Sequence, residues 1–404
     1  MYKNLFHEEK AFQRETFLER MQKYGFKNMG RMELFLWDLE LFLQIQKILG
    51  DRIVLKGGAA TQFYLPIEAQ RTSVDIDMLF FGTEEEINVT LDEITSLLSD
   101  GDGLFEFKKY IPKKPKTALP LNTYHVNIPS VLSAEERRTD KDEIPHQELK
   151  IEFIMQSEEL EFEKKTGENI FAVNSKCEYQ ILPLNTLFAD KLTTLGCETI
   201  GVQNSRMDEQ VKQFYDIMML IRYCLSNLDS AVVHEKYLKR AKEEWMDRSV
   251  DECNMDTVIA DVRKQLYRYE MADSGEDAEL KKCINDFNSL YLNSKVDYSP
   301  QSVACGASLI KLLYELILSG KGWGQLFKAF EIERKLLFEQ YTGKEKGQKI
   351  KKAREALVEE FAGYAAMPSP VLKGKNLKRV FWAIVNIDNL DEIEKVVDSL
   401  LQMR

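Results

Sequence analysis

The sequence predicts an α+β protein: a mixed sheet with flanking helices, followed by an all-helical C-terminal domain. Three observations predict it. Short β-rich runs separated by turns crowd residues 52–156, helix-period apolar spacing dominates on either side of them, and strand texture ends near residue 184. A chain of 404 residues exceeds one ordinary domain. The simplest partition is a helical segment over 1–50 that packs on the sheet domain, the sheet domain over 51–226, and a helical domain over 227–404.

Taken in order, residues 7–24 and 31–49 carry helix-period apolar positions. Leu34, Trp37, Leu41, Ile45 and Ile48 share one side of the second stretch, which predicts two helices joined near Gly30. Strands are expected in RIVLK, DIDMLFF, LFEFKKYI, NTYHVNIP and LKIEFIMQ, with one helix, TEEEINVTLDEITSLLSD, between the second and third. The proline and lysine cluster IPKKPKTALP reads as a solvated hairpin connection. LNTLFADKLTTLG and RMDEQVKQFYDIMMLIRYCL read as helices that pack back on the sheet, and from about 228 onward the spacing is helical throughout. No fixed-period repeat is present, which argues against a solenoid.

Composition narrows the function classes. A net charge of −11 opposes whole-surface attraction to nucleic acid, so any polyanion site must be local. Cys177, Cys197, Cys224, Cys253, Cys283 and Cys305 are widely spaced, form no CxxC pair and stand beside only 4 histidines. That pattern opposes a zinc site and a disulfide scaffold, and predicts reduced, mostly buried thiols that act as small hydrophobes. No apolar stretch approaches the roughly 18 residues of a membrane span, and the first residues are charged throughout. The expected location is the cytoplasm, with no membrane partner.

The stretch IVLKGGAATQFYLPIEAQRTSVDIDMLFF holds the most informative pattern. On a strand, residues two apart face the same way at about 7 Å, so Asp75 and Asp77 project together while Ile76 points into the core. Two hard carboxylates on one face suit Mg²⁺. Taken alone, a DxD at a strand start is also a hydrated turn feature. Gly57 and Gly58 follow an apolar run and precede AATQFYL, as expected of a strand, a tight turn and a helix start whose amides bind anions. Glu152 alternates with Ile151 and Phe153 and supplies a third acid, although alternation fits a solvent-facing residue equally well. Three acids on adjacent strands opposite a glycine turn are what a metal-dependent phosphoryl or nucleotidyl transfer needs, since that chemistry rests on positioning and electrostatics.

LKGGAATQFYL followed by RTSVDID resembles the signature of the AbiEii/AbiGii toxin family of nucleotidyltransferases, within the polymerase-beta-like superfamily. That family carries GG(S/T) followed by RxSxDxD, matched here by Gly57, Gly58, Arg71, Ser73, Asp75 and Asp77. LFADKLTTLG is similar to the family's lysine helix, through Lys191, and VKQFYDIMML to its KDxYD helix, through Lys212, Tyr215 and Asp216. The resemblance covers roughly residues 30–225 and makes the sheet domain a nucleotidyltransferase domain. Ala59 stands where Ser or Thr is usual, Gln213 replaces the first acid of KDxYD, Glu152 stands where Asp is common, and the gap between glycines and acids is longer.

The resemblance implies that Asp75, Asp77 and Glu152 hold two Mg²⁺ ions, and that Glu152 helps deprotonate the attacking hydroxyl. Gly57 and Gly58 cradle the triphosphate of an NTP, which Lys191 neutralises; Asp216 either orients Lys191 or contacts the nucleotide. Arg71 and Ser73 either touch phosphate or brace the strand start. It also implies an acceptor at the tRNA 3′ end, a cognate antitoxin and a role in phage defence, while protein and small-molecule acceptors stay open. The competing class is a non-catalytic nucleotide-binding relative, motivated by Ala59 and Gln213. Two basic segments, GKEKGQKIKKAR and KGKNLKR, are either solvated faces or an RNA track, with Phe381 and Trp382 near enough in sequence to stack on bases.

Overall fold

The computed structural model describes residues 4–112, 120–137, 145–249, 251–361, 374 and 376–402. Its centre is a seven-stranded mixed sheet: β1 (Ile53–Leu55), β2 (Asp75–Phe81), β3 (Phe107–Lys109), β4 (Leu121–Pro129), β5 (His146–Gln156), β6 (Glu163–Thr166) and β7 (Glu178–Ile181), in the order β3-β4-β5-β2-β1-β7-β6. β2 runs parallel to β5 and antiparallel to β1, and β1 runs parallel to β7. The five expected strands are present. β6 and β7 carried no strand signal because EKKT has no apolar alternation; β6 is an edge strand, where charges keep other chains from pairing. The expected hairpin segment lies, over 113–119, outside the described residues; β3 and β4 on either side of it pair antiparallel.

α1 (Arg14–Tyr24) and α2 (Met29–Leu49) precede the sheet. They meet at Gly25, not at Gly30. Gly25 takes φ 83° to end α1, the Asn28 side chain accepts from the Arg31 amide to start α2, and Gly30 falls inside the first turn. Residues 9–12 form a separate 3₁₀ turn, so α1 starts later than periodicity suggested. α2 is buried on nearly every side, against the back of the sheet and α4 (Glu84–Leu98), which accounts for acids inside an apolar helix. One of them, Glu40, accepts from His7 Nδ1 at 2.7 Å, and His7 Nε2 meets the Tyr179 hydroxyl at 2.8 Å. That buried network fastens the first residues to β7.

α3 (Gly57–Gln62) follows β1, and α5 (Ala134–Arg137) follows β4. α6 (Leu184–Thr193) and α7 (Met207–Cys224) contribute to a second core, built with α8 (Ser230–Met246), α9 (Met255–Glu270), α10 (Ala278–Tyr291), α11 (Pro300–Leu318), α12 (Gly324–Lys335), α13 (Gly343–Phe361), α14 (Leu377–Ile384) and α15 (Leu390–Gln402). α11 is long and apolar enough to cross a membrane, yet most of it is buried inside this core. The segment after α10 returns to the N-terminal half: Arg71 bridges Leu292, Phe26 bridges Asn293, and the Thr72 amide donates to the Tyr291 carbonyl at 3.1 Å. Phe381 and Trp382 are fully buried, which removes them from any base-stacking role. Arg379 is buried against Asp273 and Lys378 pairs with Glu333, so both brace the helical core; Lys373 and Lys375 lie outside the described residues.

Candidate active site

β2 alternates strictly, with Ile76, Met78 and Phe80 buried behind the sheet and Asp75, Asp77, Leu79 and Phe81 on its front face. Parallel register places Asp75 beside Lys150 and Asp77 beside Glu152, so all four side chains share that face. Lys150 Nζ stands 3.6 Å from Asp75 Oδ1 and 3.4 Å from Glu152 Oε2. On β4, Thr123 Oγ1 lies 3.4 Å from Glu152 Oε1. Burial raises the Asp77 carboxyl to about 7, reinforced by neighbouring Glu152 and opposed by Lys150 and Lys56. Burial also raises Asp75, with Lys150 opposing and Asp77 adding to the shift.

The glycines stand directly against these acids. Gly57 takes φ +69°, and a Cβ there would collide with Oδ2 of Asp77. A Cβ on Gly58 would collide with the guanidinium of Arg71 and crowd Oγ of Ser73, which is itself buried. The first-turn amides of α3 have no partner within the helix. Ala59 is buried in the same turn.

Arg71, Lys191 and Asp216 form one buried cluster behind the glycine turn. Arg71 donates from Nε to Asp216 Oδ1 at 2.7 Å, from Nη2 to Oδ2 at 2.8 Å, and from Nη1 to the Thr72 carbonyl at 2.9 Å. Lys191 donates to Asp216 Oδ2 at 2.8 Å and to Gln213 Oε1 at 2.5 Å. Burial opposes ionisation of Asp216, but Arg71 and Lys191 outweigh it and hold the carboxyl below its ordinary value. Asp216 thus fixes the side chains of both Arg71 and Lys191. Gln213 keeps a hydrogen bond to Lys191 without adding a second buried charge. Lys212 pairs with Glu209 and lies 4.7 Å from the Tyr291 ring, while Tyr215 donates to the Ala69 carbonyl at 2.8 Å.

Four further residues escaped the sequence reading. Lys150 carried a signal, since it precedes Glu152 by two on the same strand. Lys56 and Asp190 each immediately precede a singled-out residue and meet at 2.9 Å; Asp190 also accepts from Arg240 Nε at 3.0 Å. Burial works against the Asp190 charge, yet Lys56 and Arg240 bring its pKa down to about 2. Lys56, Asp190 and Arg240, with Leu79, Gln156, Leu182 and Thr186, line a cavity of about 440 Å³ that continues the acid-bearing face. Asp38 on α2 is fully buried, neither of its carboxylate oxygens is hydrogen-bonded among the described residues, and burial, aided by Asp75 and Asp77, pushes its pKa well up. Only its place inside an apolar helix hinted at it.

A mixed sheet that presents three carboxylates against a glycine turn, backed by a buried lysine, is the arrangement that nucleotidyl transfer needs. The Nucleotidyl transferase AbiEii toxin family of type IV toxin-antitoxin systems matches residues 41–291, and this chain belongs to that family. The match runs past α7 to the end of α10. Among solved structures, MenT4, a nucleotidyltransferase toxin from Mycobacterium tuberculosis H37Rv, is similar at 11% identity and a TM-score of 0.37, over 74% of this chain and 99% of MenT4. No curated protein matches the sequence.

Proposed function

We propose that this nucleotidyltransferase toxin moves a nucleoside monophosphate from an NTP to the 3′ end of tRNA in a Mg²⁺-dependent reaction in the cytoplasm, restrained by a cognate antitoxin and serving phage defence. The observation that carries the reading is the convergence of Asp75, Asp77 and Glu152 on one sheet face beside Gly57. The donor set suits a hard cation: burial and Glu152 lift Asp77 to about 7, and a positive charge between the carboxylates relieves that strain. Asp75, Asp77 and Glu152 would hold Mg²⁺, whose chemistry is to neutralise charge on the transferring phosphoryl and sharpen the attacking hydroxyl.

The chain's own groups do the rest. Gly57 and Gly58 admit the triphosphate to the α3 amides, and Lys191, held by Asp216, faces it from behind. Glu152 takes the proton of the acceptor hydroxyl. The 440 Å³ cavity beside Leu79 is the right size for a nucleoside, with Gln156 and Thr186 able to hydrogen-bond a base. Exposed Lys344, Lys351 and Lys352 on α13 remain for RNA phosphates.

The test is incubation with each NTP labelled at the α-phosphate, Mg²⁺ and a tRNA pool, with Asp75→Ala/Asp77→Ala as control. Label on tRNA that the double variant loses supports the reading and names the nucleotide. Label only on protein or a small molecule overturns the acceptor, and no label anywhere leaves a binding role.

A further inference from the structure

The cation that the three carboxylates attract is already supplied by the chain. Lys150 lies 3.6 Å from Asp75 and 3.4 Å from Glu152, longer than the 2.8 Å of Lys191 to Asp216 or the 2.9 Å of Lys56 to Asp190. Its ammonium is thus shared between two carboxylates and hydrogen-bonded tightly to neither. In this arrangement, no three acidic, histidine or cysteine side chains among the described residues stand close enough together to hold an ion. Lys150 is on the same face as the acids, at the register position opposite Asp75.

The surroundings give the ammonium somewhere else to go. Its side chain is 29% exposed. Glu148, two residues earlier on β5 and so on the same face, is 62% exposed and meets His125 Nδ1 at 2.9 Å. His125 pairs with Lys150 in register across β4 and β5. A lysine stem reaches either the Asp75–Glu152 pair or Glu148 by side-chain rotation alone.

We propose that Lys150 is a built-in counter-cation of the catalytic carboxylates, which an entering divalent cation displaces towards Glu148. This rests on the reading of Asp75, Asp77 and Glu152 as metal ligands. While Lys150 holds the acids, their mutual repulsion is contained and the site stays ordered; displacement couples closing of the metal site to opening of the lysine contact. Lys150 is therefore a positioning residue that sets metal affinity, in competition with the metal.

The test is Mn²⁺ binding to the full chain at pH 8, followed by the loss of the free-ion electron paramagnetic resonance signal, for wild type, Lys150→Met, Lys150→Arg, Glu148→Gln and Asp75→Ala/Asp77→Ala. Removing a unit charge beside the ion is expected to tighten Mn²⁺ about tenfold in Lys150→Met. Lys150→Arg stays near wild type, and Glu148→Gln, which removes the displaced partner, binds about threefold more weakly. A merely structural lysine gives the opposite sign on removal. Binding that the double aspartate variant abolishes, but that Lys150→Met leaves unchanged or weakens, overturns the proposal and spares the metal reading. If neither wild type nor Lys150→Met binds Mn²⁺, both fall. Should Lys150→Met not fold, Glu148→Gln decides alone, and unchanged affinity there overturns the displacement.

Discussion

Arg71 and Asp216 are joined by two parallel bonds, of 2.7 and 2.8 Å, across 145 residues of chain. The pair ties the start of the acid-bearing strand to the helix that faces it, and Lys191 completes the cluster at 2.8 Å. All three side chains are almost fully buried.

Removing the acid should therefore strand two cations in the interior. Asp216→Ala is expected to lose about 3–5 kcal/mol of folding stability, the usual cost of breaking a buried ion pair. Urea denaturation measures it. A loss under about 1 kcal/mol would mean that water reaches the cluster.

Asp77 predicts a pH dependence. Its folded pKa, about 7, lies above the unfolded carboxylate value of 3.8, so its contribution is fully present below pH 3.8 and lost as pH rises through 7. Without added divalent cation, wild type should lose melting temperature relative to Asp77→Asn across that window. Mn²⁺ affinity should rise over the same window, as the carboxylate ionises. Parallel melting curves for the two proteins would refute the shift.

Gly57 and Gly50 separate backbone strain from site geometry. Both take positive φ, +69° and +61°, but a Cβ on Gly50 meets open space whereas one on Gly57 meets Asp77. Each alanine substitution should cost about 1–3 kcal/mol. Only Gly57→Ala should also abolish nucleotide transfer, measured at a temperature where both variants are folded.

The exposed lysines of α13 should carry salt-dependent RNA affinity if they track phosphates. Replacing Lys344, Lys351 and Lys352 with alanine should lower the slope of log affinity against log salt by roughly 0.7 for each single-strand phosphate that is no longer neutralised. A filter-binding titration against tRNA at several salt concentrations reads it. An unchanged slope assigns α13 to the solvated-face reading.

Much of this was legible because the front face of β2 obeys a period of two. The same alternation that paired Asp75 with Asp77 also placed Glu152, and, pursued one step further, would have found Lys150. The nucleotidyltransferase family was readable from the order of short motifs. Hidden were relations between segments far apart. Nothing in a sequence says that Arg71 spends its donors on Asp216, or that Trp382 lies in the core beside basic residues that are themselves ion-paired. β6 escaped because an edge strand is stabilised by its partner and needs no apolar face. The Gly25 turn escaped because Gly30 offered an equally plausible break until Asn28 was seen to cap α2.

The isolated bridge that ties Arg71 and Thr72 to Leu292 and Tyr291 has a consequence for the order of events during synthesis. Thr72 waits for a partner 219 residues downstream. A chain still emerging from the ribosome can pair β1 with β2, but the segment between the glycines and the acids stays unlatched until α10 has cleared the exit tunnel. The approach to the acid-bearing strand therefore gains its last backbone bonds only after roughly three quarters of the chain has been made.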